Sequence, residues 1–134
     1  MVPITIFQVL LIISIVIYLS LNMIYLIRLY PVKEKLVTYP YISVCIPARN
    51  EERDIKKCVE SLLNQDYPNF EIIVVDDNSS DDTAKIVCSM LEEYSNLIFI
   101  AGAKLEPGWV GKSYALHQAY KKSRGQFFLF TDAD

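Results

Sequence analysis

The chain has 134 residues, a formal net charge of −3 and a hydrophobic content of 52%, with acids and bases interspersed. No basic face is set aside for a polyanionic backbone, which argues against nucleic acid as a partner. About the first 30 residues are almost wholly apolar, leaving roughly 100 for one globular domain.

From Val2 to Ile27 there is no charged side chain. A helix of about 24 residues reaches roughly 36 Å, enough to cross a hydrocarbon core of about 30 Å with some tilt. A cleaved signal peptide fits less well, because the segment lacks a basic n-region and a small-residue cleavage site before Arg28. Residues 1–30 therefore read as a single membrane span. Arg28, Lys33 and Lys35 follow it and no basic residue precedes it, so the positive-inside tendency places the amino terminus outside and the remainder in the cytoplasm. Tyr25 and Tyr30 fall at the expected interface, and residues 31–41, with Pro31 and Pro40, form a linker.

Beyond the linker the pattern alternates between strand and helix. Ile42 to Ile46 is a β-rich run closed by Pro47. From Glu51 a helix is expected, with Asn50 as its N-cap and Ile55, Cys58, Val59, Leu62 and Leu63 on its inward face. Phe70 to Val75 is a second strand, apolar enough to be buried on both faces. A second helix begins near Ser80 or Asp81 and turns Ala84, Val87, Met90, Leu91 and Tyr94 inward. Leu97 to Ala101 is a third strand, followed by a loop from Gly102 to Gly111. A third helix over 112–123 turns Ala115, Leu116 and Ala119 inward, and residues 126–131 make a fourth strand. This alternation predicts an α/β fold with a mostly parallel, Rossmann-like, right-handed sheet. Cys45, Cys58 and Cys88 lie in apolar patterns without metal-ligand spacing and read as reduced, buried and cytosolic.

Three polar clusters sit at the carboxyl ends of these strands: Pro47 to Glu51, Asp76 to Ser79, and Asp132-Ala133-Asp134. Ligands of open α/β sheets bind there, so the three imply one shared pocket. No Gly-x-Gly-x-x-Gly follows the first strand, which disfavours a dinucleotide. Gly111-Lys112-Ser113 ends like a P-loop, but Glu106 stands where that motif needs glycine. A receiver-type phospho-acceptor fold is also disfavoured, because it wants its acid pair after the first strand and not the second. Asp132-x-Asp134 presents hard oxygens suited to Mg²⁺ or Mn²⁺ bridging phosphates.

These residues resemble the amino-terminal half of the nucleotide-sugar domain of glycosyltransferase family 2. The resemblance rests on Val44 to Glu51, Ser61 to Pro68, Ile72 to Thr83 and Phe130 to Asp134, in order across residues 42–134. Gly108 to Leu116 is similar to membrane-bound members that glycosylate lipid-like acceptors, such as carotenoid and hopanoid glycosyltransferases. The resemblance implies an inverting, metal-dependent transfer from a nucleotide-diphospho-sugar, UDP-sugar favoured, to a lipid-like or other membrane-associated acceptor.

It also implies roles. Asp76 or Asp77 accepts a hydrogen bond from the base, with Asp77 preferred and Asp76 otherwise a turn residue. Pro47, Ala48 and Asn50 shape the floor under the nucleotide, and Arg49 or Glu51 lies near ribose and diphosphate. The plainer reading of Asn50 and Glu51 is helix capping. Asp134 is the expected metal ligand, and Asp132 contacts the cation, ribose or sugar. Lys112 either adds charge near the diphosphate or faces solvent. His117 reads as a surface helix residue, and Trp109 stays open between stacking on substrate and filling the domain. The general base of this family lies well downstream of Asp-x-Asp, so the chain reads as an incomplete fragment that does not turn over alone, its fourth strand left open. The alternative is a non-catalytic, membrane-tethered interaction module.

Overall fold

A computed structural model describes the backbone of residues 2–25 and 38–133. Arg28, Tyr30, Lys33, Lys35 and Asp134 lie outside the described residues, as does the side chain of Tyr25. The chain divides into two compact units between Lys35 and Leu36.

The first unit is helix α1 (Val2–Tyr25). Its Ile6–Met23 window has a mean hydropathy of 2.3 and none of it is buried, so α1 is long and apolar enough to span a bilayer. Ser14 and Asn22 keep their polar groups within the helix, donating to the Leu11 and Tyr18 carbonyls at 2.8 Å each.

The second unit runs β1 (Ile42–Ala48), α2 (Ile55–Leu63), β2 (Phe70–Asp76), α3 (Thr83–Met90), β3 (Leu97–Ala101), α4 (Gly111–Lys122) and β4 (Phe127–Phe130). The strands form one parallel sheet in the order β3-β2-β1-β4. Alternation along β1 and β2 divides the core into two layers. Val44, Ile46, Ile72 and Val74 pack with Ile55 and Val59 of α2 and Val87 and Met90 of α3. Cys45, Ile73 and Val75 face the other way, against Ala115 and Ala119 of α4. The small alanines let α4 lie close on the sheet, and each fully buried Ile or Val contributes roughly 1.5–3 kcal/mol.

β1 extends past its expected end, through Pro47 to Ala48, in register with β2 up to Ala48↔Asp76. Ala48 O accepts from Asp77 N on the β2 side, whereas Cys45 O accepts from Thr131 N on the β4 side. Residues alternate, so the nitrogen of Pro47 faces β4, whose pairing has already ended at Cys45↔Phe130. No ladder bond is lost there.

At the opposite end of the sheet from Asp76, Glu71 is fully buried near the start of β2. Its carboxylate accepts from the Ser43 hydroxyl at 2.7 Å, the Arg124 amide at 2.7 Å and the Arg124 guanidinium at 2.8 and 3.0 Å. Burial pushes this carboxyl up, but the Ser43 and Arg124 hydrogen bonds and the Arg124 charge outweigh it and hold it below its ordinary value.

Three expectations are corrected. α2 begins at Ile55 with Asp54 as its N-cap, so Asn50 is not its cap. Asn50 instead adopts φ 56°, a left-handed turn. α3 begins only at Thr83, because Asp81 accepts from the Thr83 amide in a turn that precedes the helix. The cysteines are not uniformly buried: Cys45 is, Cys58 is half-buried and Cys88 is exposed. The inward face of α3 falls on Thr83, Val87 and Met90, which turns Cys88 outward.

Candidate functional site

The strand order reverses between β1 and β4, and a crevice opens at the carboxyl ends of the strands beside that reversal. A cavity of about 390 Å³ lies there, lined by Pro47, Ala48, Arg49, Glu51, Asp77, Gly111, Lys112, Asp132 and Ala133. It draws on the β1–α2 loop, the end of β2, the start of α4 and the segment after β4. The polar clusters that follow β1, β2 and β4 thus each supply a wall of one pocket.

Asp77 is one of its lining residues. Its amide donates to Ala48 O at 2.8 Å, and its Oδ2 stands 3.5 Å from Nη1 of Arg49. The Asp77 side chain is 13% exposed and that of Arg49 65%, so the carboxylate is set in the wall while the guanidinium reaches into solvent. Also lining the cavity, Lys112 Nζ meets Asp132 Oδ1 at 2.5 Å. Lys112 therefore forms an ion pair at the rim, with both side chains more than half exposed. Two cations, Arg49 and Lys112, and three carboxylates, Glu51, Asp77 and Asp132, line one hollow, a mixture that suits a ligand carrying both hydrogen-bond donors and negative charge.

Asn50 and Asp76 do not border this cavity. The left-handed turn at Asn50 sends its side chain across to the β2–α3 loop, where Oδ1 accepts from Ser80 N at 2.8 Å, and the Asn50 backbone N–H donates to Ser79 Oγ at 2.9 Å. Further bonds run in both directions between these loops: Glu51 N to Thr83 Oγ1, Glu52 N to Asp81 Oδ2, and Asp82 N to Glu52 Oε2. Burial pushes the Asp81 carboxyl up, yet the hydroxyl and amide of Thr83 and the amide of Glu52 hold it below its ordinary value. The side chain of Asp76 turns to the Ser79 amide within its own turn, and its carbonyl accepts from Gly102 N. These residues fasten two loops to each other and so fix the wall that carries Asp77.

Asp132 and Ala133 border the cavity, and Asp134 lies outside the described residues. Among the described residues no three His, Cys, Asp or Glu side chains gather as a metal cluster. The donor set is hard oxygen, which suits a divalent cation held by one or two carboxylates and completed by substrate phosphates. Trp109 stacks on His117 at 4.8 Å, which gives that histidine an aromatic partner on the surface of α4. Gly111 was not singled out by sequence reasoning. A Cβ there would lie 2.6 Å from Asp77 Oδ2, and the signal was a glycine opening a helix directly beside the pocket loop.

The model of glycosyl transferase family 2 matches residues 43–134. The chain is 36% identical over 104 residues to the beta-monoglucosyldiacylglycerol synthase of Trichormus variabilis, covering 76% of this chain and 22% of that protein. It is 37% identical over 117 residues to the 4,4'-diaponeurosporenoate glycosyltransferase of Staphylococcus haemolyticus, covering 87% and 30%. Among solved structures, the mannosyltransferase PcManGT from Pyrobaculum calidifontis, in complex with GDP-Man and Mn²⁺, superposes with a TM-score of 0.67 at 27% identity, over 89% of this chain and 34% of that one. S. aureus TarS 1–349 in complex with UDP gives a TM-score of 0.57 at 36% identity, over 70% and 27%. The chain thus spans between 22% and 34% of the length of these proteins. Matched by the family model along nearly all of its second compact unit, the chain belongs to glycosyl transferase family 2.

Proposed function

We propose that this chain carries the donor-binding half of a metal-dependent, inverting glycosyltransferase that takes a nucleotide-diphospho-sugar, UDP-sugar favoured, and delivers the sugar to a lipid-like acceptor at the cell membrane. The observation that carries this reading is the convergence of Pro47, Ala48, Arg49, Glu51, Asp77, Lys112 and Asp132 on one cavity. In this reading Asp77 accepts the ring N–H of the base, with the backbone at Pro47 and Ala48 forming the floor beneath it. Arg49 and Lys112 lie toward the diphosphate, where their charge offsets that of the leaving group. Asp132, together with Asp134, holds Mn²⁺ or Mg²⁺. When bound, such an ion acts as a Lewis acid on the departing diphosphate. The Lys112 ammonium now rests on Asp132 at 2.5 Å, so this carboxylate already holds a positive charge at the cavity rim. Release of Lys112 toward the diphosphate frees Asp132 for the cation.

The comparisons support the donor class: TarS is known with UDP, and PcManGT with GDP-Man and Mn²⁺. A lipid-like acceptor is supported by the diacylglycerol and diaponeurosporenoate named in two relatives and by the apolar helix α1. The test is thermal unfolding of the full chain in detergent with UDP and MnCl₂. At ligand about one hundred times its Kd, a stabilisation of about 2.7 kcal/mol is expected. Asp132→Asn should abolish the Mn²⁺-dependent part, and Asp77→Asn should weaken the UDP-dependent part. No shift in the wild-type chain, or an unchanged Mn²⁺ response in Asp132→Asn, rejects the proposal.

A further inference from the structure

The four glycines of the chain are present for different reasons. Gly108 has φ 87°, a conformation that favours glycine. A Cβ on Gly102 would press on the backbone of Asp76 at 2.5 Å, and one on Gly125 on the backbone of Ser43 at 2.5 Å, so both allow close packing of main chain. Gly111 fits neither class. Its φ lies outside the left-handed region, and the atoms that a Cβ would meet are Asp77 Oδ2 at 2.6 Å, Asp77 Cγ at 3.6 Å and Arg49 Nη1 at 4.0 Å. The space kept clear at the first residue of α4 is the space taken by one carboxylate.

Glycine is a poor residue for a helix, about 1 kcal/mol worse than alanine in a helix interior. Backbone conformation does not require it here. Its effect is to let the amino-terminal turn of α4, which carries partial positive charge, close directly on Asp77. The carboxylate is then bounded by Arg49 on one side and Gly111 on the other, with its own amide tied to Ala48 O.

We propose that Gly111 is a positioning residue that fixes the angle of the Asp77 carboxylate, and that this angle selects a nucleobase presenting a ring N–H over one presenting a ring nitrogen lone pair. The inference rests on the reading of Asp77 as the base contact. Uracil offers N3–H to a carboxylate held at one angle. Cytosine at the same position presents a lone pair, which the carboxylate repels, and its amino group lies off that line. A methyl group at position 111 forces the carboxylate to rotate, which weakens the bond to uracil and lets the oxygen reach toward the cytosine amino group.

The experiment is calorimetric titration of the full chain in detergent, with UDP and with CDP in the presence of MnCl₂, on wild type, Gly111→Ala, Asp77→Ala and the double variant. Gly111→Ala should weaken UDP about tenfold, the loss typical of a hydrogen bond to a charged group. The UDP-to-CDP affinity ratio should fall with it while Tm stays level or rises. In the Asp77→Ala background the same substitution should have no further effect on UDP, because the atom it displaces is gone. Wild-type UDP affinity in Gly111→Ala overturns the proposal, as do additive losses in the double variant. A Tm loss that persists in the Asp77→Ala background would show that the methyl meets main chain, and overturns it equally. If UDP binds the wild type and Asp77→Ala leaves that binding intact, the base-contact reading fails and this inference with it. If Asp77→Ala weakens UDP and Gly111→Ala does not, the role of Gly111 alone is refuted.

Discussion

Asn50 illustrates how one side chain can serve a pocket without touching it. It tolerates φ 56° because a short amide can hydrogen-bond locally in the left-handed region, and it uses that turn to reach Ser80 N, 30 positions away. Asn50→Ala removes the acceptor and leaves a Cβ residue in the same strained turn, so it should cost about 2 kcal/mol in urea unfolding. Asn50→Gly should recover part of that loss, because it relieves the backbone although it does not restore the bond; equal losses in the two variants would contradict this account. The sequence motif around Asn50 was legible, and its partner was not. Helix capping joins residues three apart, whereas the bonds that Asn50 and Glu52 make cross between two loops. For the same reason the sequence shows no contact that separates the two acids: in three dimensions the Asp76 carboxylate is drawn to the Ser79 amide, and Asp77 borders the cavity.

The elements themselves were easier to read. Unbroken apolar runs located β1, β2 and β3, and helical spacing located α2 and α4 to within a few residues, because burial on a parallel sheet leaves that pattern directly in the chain. Helix starts came out late, since the polar residues before α2 and α3 bond to the opposite loop instead of capping their own helix. Among the described residues β4 lies at the edge of the sheet, and its Phe127, Phe128, Leu129 and Phe130 are all exposed. The buried Glu71 gave a sequence signal too, an acid near the start of an apolar run. Its held-down carboxyl has a definite consequence for pH. Because the folded value lies below the unfolded one, the pairing stabilises the fold above the ordinary carboxylate range, about pH 4.3, and that contribution is lost as pH falls through the folded value. Glu71→Gln should destabilise the fold at pH 7 by roughly 1.5–3 kcal/mol, the worth of hydrogen bonds to a charged group, because Arg124 of the pair stays exposed, and should flatten the acid limb of the Tm profile. A variant whose Tm falls with acid as steeply as the wild type would remove Glu71 from that role.

At the scale of the whole molecule, an apolar helix and a folded α/β unit are joined in one chain. If α1 spans the membrane with its amino terminus outside, Cys88 offers a way to see it, because it is exposed on α3 while Cys45 is buried. A membrane-impermeant maleimide should label the chain at Cys88 only after cells are permeabilised, with Cys88→Ser as the control; labelling of intact cells would reverse the orientation. The parallel sheet has a further consequence. With every strand pointing the same way, the Glu71 lock and the loops that line the cavity fall at opposite ends of the same strands. The lining of the cavity can therefore change by exchange of loop residues at one end while the anchoring contacts at the other go unaltered, which leaves this scaffold free to be retuned without refolding its core.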